Sequence, residues 1–308
     1  MRFILPSVLL SFIAAPAFAE TTPPLKEDAP LSRCGEFLNG MSVFEKGKNF
    51  DVRDSHDGCV ISDALFGTGN LMGWSFDRVE IEGDRFRDFM SETPDMASGP
   101  PQWARVAIDG VRLSLKIDDK LTKFINSVQQ TPSDFAASYR FDPKDGYLHI
   151  QNAEMSSVRL GKISVSGEFN LPTESSLADL AVNPTATLSR VRLRLDNQGI
   201  WESLIMPSLA NFAFQAFSNS DTDPEKAITQ FINTASTAIN AIPESRIDAE
   251  SKRALMRFIW DMPHPTGYFA LDLSFEKPLP IGLNDLAPEK LVQRALSDAT
   301  INVSYTAR

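Results

Sequence analysis

The feature that most constrains this chain is an alternation that changes step. In VRLSLKIDDKLTKFI, residues 111–125, Val111, Leu113, Leu115 and Ile117 are apolar while Arg112, Ser114 and Lys116 are polar. A period of two marks a strand with one face buried, because successive side chains point to opposite sides. Just upstream, Val106 and Ile108 carry the apolar set on the opposite parity. One residue is therefore inserted near Asp109-Gly110, as a β-bulge or tight bend requires. VRLRLDNQGIWESLI, residues 191–205, aligns with the first phrase without a gap and shares its Val, Arg, Leu, Leu and Ile. It makes the same slip, since Ala186 and Leu188 precede Val191, Leu193 and Leu195. Each phrase continues into a polar break, Asp118-Asp119 or Asn197-Gln198-Gly199, and then into apolar residues at helical spacing. These are Leu121, Phe124, Ile125 and Val128 in the first phrase, and Trp201, Leu204 and Ile205 in the second. The expected unit is strand, turn, helix, written at 104–125 and again at 184–205.

Further strands are expected at about 73–82, 135–142, 146–154, 158–170, 267–276 and 299–307. FDPKDGYLHI puts Pro143 and Gly146 where a hairpin turn needs them. One helix should start at Asp223-Pro224-Glu225 and carry an apolar stripe through Ala227, Ile228, Phe231, Ile232, Ala235, Ile239 and Ile242. Another should run from about Asp248 to Trp260. Residues 34–70, rich in glycine, read as mixed and turn-rich. The class that follows is α+β: a curved, largely antiparallel sheet with helices packed on one side. It is expected to occupy residues 33–308 as a single domain.

Residues 1–19 have the form of a secretory signal, with Arg2, an apolar run from Phe3 to Ala15, and Ala17-Phe18-Ala19 as the cleavage site. Pro6 interrupts that run, which falls short of the roughly 18 apolar residues a membrane span needs. Residues 20–32 have the composition of a disordered leader. These features place the mature chain in the periplasm, with no transmembrane span. The formal net charge of -10 is spread along the sequence, which favours solubility and argues against a nucleic-acid partner. Two cysteines, Cys34 and Cys59, lie close together in an exported chain, which points to one disulfide. No Cys-x-x-Cys spacing suggests redox chemistry.

Candidate catalytic groups are few. Of the three histidines, His149 lies within a strand and His264 stands between two prolines. His56 sits in RDSHDGC, where Asp54 and Asp57 could join it around a metal, although a turn has the same composition. No Gly-x-Ser-x-Gly elbow or Ser-x-x-Lys pair occurs, and no phosphate-binding or dinucleotide glycine pattern. Asp118 and Asp119 stand where a helix cap belongs, while Glu80 and Glu82 fall on the wet face of a strand. No catalytic residue, metal site or cofactor is therefore expected, and the reading is non-enzymatic.

IWESLIMPSLANFAFQAF, residues 200–217, leaves few polar positions on any face of a helix. It must either cover the sheet as core or wall an apolar groove that could hold an acyl chain. Residues expected to line such a groove are Val111, Leu113, Leu115, Trp201, Leu204, Ile205, Phe212 and Phe214. The exported start and the repeated phrase resemble AsmA-like and related envelope proteins of Gram-negative bacteria, whose curved sheets present an apolar inner face. That resemblance covers 104–125 and 184–205 only and transfers no functional residue. It implies an accessory or binding protein, whereas this chain lacks a retained anchor and is shorter than the long lipid bridges. The expected function is binding of an apolar small molecule such as a lipid, or of an envelope partner. The rival expectations are a structural or assembly module with no ligand, and an envelope hydrolase built on His56 or His264.

Overall fold

A computed structural model describes residues 33–40, 44–67, 72–86, 99–115, 119–173, 176, 186–210, 223–281 and 297–308. The segments read as signal sequence and leader, 1–19 and 20–32, lie outside the described residues. The elements are α1 (Arg33–Gly40), β1 (Phe44–Asp54), β2 (Gly58–Gly67), β3 (Met72–Gly83), β4 (Trp103–Leu115), α2 (Lys120–Gln129) and β5 (Ser133–Asp142). They continue with β6 (Tyr147–Ser157), β7 (Gly161–Asn170), β8 (Ala186–Asn197), a π-helical turn (Trp201–Ile205), α3 (Pro224–Ala241) and α4 (Ala249–Trp260). The described chain ends with β9 (Gly267–Ile281) and β10 (Ala299–Thr306).

The ten strands form one open sheet in chain order, every neighbour antiparallel. The architecture is thus α+β, a long meander with its helices inserted between strands. Both steps in the alternation are real bulges. Ile108 faces Phe135 and Val111 faces Ser133, so three residues of β4 span two of β5 at Asp109-Gly110. Glu168 faces Arg190 and Phe169 faces Leu188, which leaves Ser189 as the extra residue of β8. Each bulge turns the following apolar residues back to the face their predecessors occupied.

Residues directly opposite one another share a face of the sheet. A single row of partners therefore crosses all ten strands on one side: Val52, Ile61, Val79, Ile108, Phe135, Met155, Ile163, Leu195, Phe269 and Tyr305. The other side carries the charges, paired as Arg78–Glu80, Arg105–Glu82, Arg112–Asp77, Lys162–Glu154 and Arg190/Arg192–Asp272.

The excursion between β8 and β9 lays α3 and α4 over the apolar side of β8, β9 and β10. Leu195, Ile200, Ile239, Ile247, Phe258, Phe269 and Ile301 are buried there in the main core. Phe258 is its centre, stacked on Phe269 at 4.1 Å between ring centroids and met edge-on by Trp201 at 5.1 Å and Tyr305 at 5.3 Å. The helices begin at side-chain caps: Asp223 accepts from the Glu225 N–H at 3.1 Å, and Asp248 from the Ser251 N–H at 2.7 Å. The segment before α4 also fastens β10, because Ile301 N–H donates to the Arg246 carbonyl at 2.7 Å and Val303 N–H to Ser251 Oγ at 3.0 Å.

Residues 44–67, read from sequence as turn-rich, are the two strands β1 and β2. Their alternation is masked. In β2 the buried Cys59 and Ile61 are two apart but the next buried position, Ala64, comes three after Ile61, because Asp63 takes a positive φ of 51° between them. In β1 the register slips between Lys46 and Asp51, and charged residues fall on both parities.

Candidate functional site

The helices cover only one end of the apolar face. Beside the row through Phe135 and Met155 runs a second one, through Cys59, Ile81, Val106, Ala137, Ala153, Val165 and Leu193. Beyond it lies a third, through Ala104, Tyr139, Ile150 and Gly167. Over β3 to β7 these rows contain no charged side chain. From β4 to β7 they are partly open: Phe135 is 38% and Val165 37% exposed, and Val106, Ala137, Ala153 and Ile150 are half-buried. At β3 the face is closed by a second, smaller core of Ile61, Ala64 and Val79, against which Val52, Phe76, Ile81 and Ile108 pack.

Side-chain size gives this open region its form. Ala137 and Ala153 are directly opposite one another in the middle row, with Phe135 and Met155 on one flank and Tyr139 and Ile150 on the other. The rows of Phe135 and Tyr139 are four residues apart along β5, about 13 Å at the usual rise per residue. The result is a shallow trough on β5 and β6, floored by Ala137 and Ala153; on β4 and β7 the third row carries only Ala104 and Gly167. At the β7 side the Phe169 ring leans over Gly167, where any Cβ would meet it at 2.7 Å.

Tyr139 supplies the hydroxyl of its flank. Burial, with the nearby Asp84 carboxylate adding to it, pushes its phenol up to about 12. It therefore keeps its proton at every physiological pH and remains a donor.

Both ends of the middle row are closed. At β8, Leu193 packs against the core under the helices. At β2, Cys59 forms a disulfide with Cys34 of α1, their Cα atoms 5.8 Å apart. Cys59 lies two residues from Ile61 on the same face, so α1 approaches the sheet from the apolar side. Cys34 and Cys59 are each only 2% exposed, and the Cys34 N–H donates to Asp54 Oδ1 at 3.0 Å.

Of the residues expected to line a groove, Val111 and Leu113 lie half-buried on the apolar face of β4, past the bulge, with Leu113 opposite Trp74. Leu115 continues that strand and pairs with Met72. Trp201 is spent in the closed core, 8% exposed against Phe258, and Ile205 packs beside it. Leu204 is 44% exposed. Phe212 and Phe214 lie outside the described residues. The two groups do not converge, since β4 and β8 are four strand spacings apart, about 19 Å. Phe135, Ala137, Ala153 and Val165, on the partly exposed apolar face, are not among the residues expected to line a groove. Alternation in DFAASYRF does mark their face, but which strands the helices leave bare is not written in it.

The polar groups considered for catalysis or metal binding are dispersed. His56 Nδ1 lies 2.8 Å from Asp57 Oδ1 in an exposed turn, and His264 Nδ1 is 3.7 Å from Glu202 Oε1. His149 faces Arg140 and Glu168 on the charged side of the sheet. Cys34, Asp54 and Cys59 converge closely enough to suggest a metal, but the disulfide consumes both sulfurs. Among the described residues no helix is long and apolar enough to cross a membrane. No protein-family model matches the chain, and no curated protein matches it.

Proposed function

We propose that this is an exported, non-enzymatic binding protein of the envelope, which holds a hydrocarbon chain on the apolar face of β4 to β7, over the trough at Ala137 and Ala153. The observation that carries the reading is one face with two fates. The same rows of apolar partners that are buried under α3 and α4 at β8 to β10 run on, uncharged and partly exposed, across the four strands before them, β4 to β7. Burying hydrocarbon there is favourable by about 25 cal/mol per Å² of apolar surface, with no charged anchor required. The disulfide supports export to an oxidising compartment, as does the form of residues 1–19. Kinship with AsmA-like proteins belongs to the same proposal, as a likeness of sheet architecture.

Charge placed in the trough tests the reading. Phe135→Asp and Val165→Asp alter exposed positions, so the fold should survive, as circular dichroism would verify. Protein purified from the periplasm should carry lipid when wild type and lose it in both variants. Leu204→Asp, exposed but away from the trough, should keep its lipid. Equal lipid content in all four proteins would remove the trough from consideration.

A second reading, docking of an envelope protein, is favoured by a separate observation. Helix α2 presents Leu121 and Ile125 to solvent, 64% and 43% exposed, at the spacing by which an amphipathic helix enters a groove.

A further inference from the structure

We propose that the charged side of the sheet carries a phosphate-binding site, formed by Arg192 and Arg194 of β8 with Ser164 and Ser166 of β7. It lies on the opposite side from the apolar face and does not rest on the hydrocarbon reading. Arg190, Arg192 and Arg194 occupy alternate positions of β8, so their side chains leave the strand on one side. Ser166 is directly opposite Arg192, and Ser164 directly opposite Arg194. The four residues mark a rectangle about 7 Å along the strands and about 5 Å across them.

The surrounding ion pairs decide where the surplus charge sits. Asp272 takes two hydrogen bonds from Arg190 but only the Nε of Arg192, at 3.2 Å. Glu154, opposite Ser164 on β6, is held by Lys162 at 2.6 Å, and Asp196, the next residue on this side of β8, by Arg308 at 3.0 Å. Glu168 is opposite Arg190. Lys162, Arg190, Arg192, Arg194 and Arg308 therefore stand against Asp272, Glu154, Asp196 and Glu168, and the cation left over is Arg194. It is exposed, faces Ser164 and Ala270, and has no ion-pair partner among the described residues. This local excess of positive charge lies in a chain whose net charge is -10. Glu168 lines a shallow open hollow beside Arg190 and Arg192, with His149 and Ser166, and repels an anion from that end. The anion is thus placed towards Arg194.

The donors select its chemistry. Each guanidinium offers a planar fork of N–H groups, and the serines offer O–H groups from the facing strand. The tetrahedral oxygens of a phosphate group serve both arginines and the serines at once, whereas a carboxylate has only two oxygens to share among them. A soluble phosphate and the head group of an anionic phospholipid present the same oxygens.

Inorganic phosphate, titrated calorimetrically into wild-type protein, Arg194→Gln, Ser164→Ala and Arg53→Gln, tests the inference, together with co-sedimentation of the same proteins with vesicles of phosphatidylglycerol or of phosphatidylcholine. Arg53 is an exposed arginine on the edge strand β1, so Arg53→Gln makes the same change in net charge away from the site. Phosphate should bind about tenfold more weakly to Arg194→Gln and a few-fold more weakly to Ser164→Ala, while Arg53→Gln matches wild type and acetate binds more weakly than phosphate. Retention on phosphatidylglycerol vesicles alone, lost in Arg194→Gln, would assign the phosphate to a lipid head group. Equal affinity of wild type and Arg194→Gln would overturn the site. So would equal losses in Arg53→Gln and Arg194→Gln, acetate binding as tightly as phosphate, or wild-type protein that binds neither phosphate nor vesicles.

Discussion

Gly110 shows how one residue turns a strand. Its φ is 68°, and a side chain there would collide with the Asp77 carboxylate. Its N–H donates to Asp134 Oδ1 at 2.8 Å, and Asp77 in turn accepts from Arg112 Nη1 at 2.6 Å. The bulge is thus held by carboxylates on both neighbouring strands. Gly110→Val should cost at least the ~1–3 kcal/mol of a strained φ, read as a lower urea midpoint. Phe258 is the residue on which the main core converges, so Phe258→Ala should cost ~3–5 kcal/mol by cavity formation. Trp260→Ala, at a site 63% exposed, should cost under about 1 kcal/mol. A fourth test concerns charge. Hydrogen bonds from Arg190 hold the Asp272 carboxyl below its ordinary range, against the effect of burial. Its folded pKa lies below its unfolded one, so the stability it contributes is present above the ordinary aspartate value of about 3.9 and is lost as pH falls through the folded value. Asp272→Asn should therefore be less stable than wild type near neutrality, by up to about 1 kcal/mol for so open a pair. Urea midpoints should converge as the solution is acidified. A gap that persists in acid would assign the loss to packing.

At the scale of elements, the disulfide ties α1 to β2. It closes a loop with a sequence separation of 25, worth about 3 kcal/mol by chain entropy. Cys34→Ser with Cys59→Ser should lower the midpoint by that order, unless α1 finds another anchor. What the sequence made legible follows the same division. The bulged strands β4 and β8 were readable because apolar and polar residues alternate cleanly on each side of the slip. The capped helices α3 and α4 were readable because Asp223 and Asp248 stand before strong apolar stripes. Strands β1 and β2 were not, since Asp63 and the slip after Lys46 break the period that reading depends on. The second phrase was legible as a strand leading to a helix, but not its use. Asn197 Oδ1 accepts from the Gly199 and Trp201 N–H groups, at 3.1 and 2.9 Å, and so turns Trp201 into the core. A sequence pattern fixes which side of an element is apolar, and the long return from β8 to β9 decides what covers it.

For the whole molecule, the ordering of the meander places a large core at β8 to β10, a small one at β1 to β3, and a partly exposed apolar face between them. Every strand neighbours the next, so the helices inserted between β8 and β9 reach only the strands near them. One edge of the sheet is fastened by Arg246 and Ser251 against β10, and the other carries the charged strand β1, which discourages pairing with further strands. The partly exposed apolar face of β4 to β7 is the surface on which the proposed binding rests. That binding is tested most directly by native mass spectrometry of the protein purified from an oxidising periplasm, followed by organic extraction of whatever is bound. An acyl-bearing lipid at one per chain is the expected result, absent from Phe135→Asp; protein that is reproducibly empty under conditions that preserve its fold would contradict it.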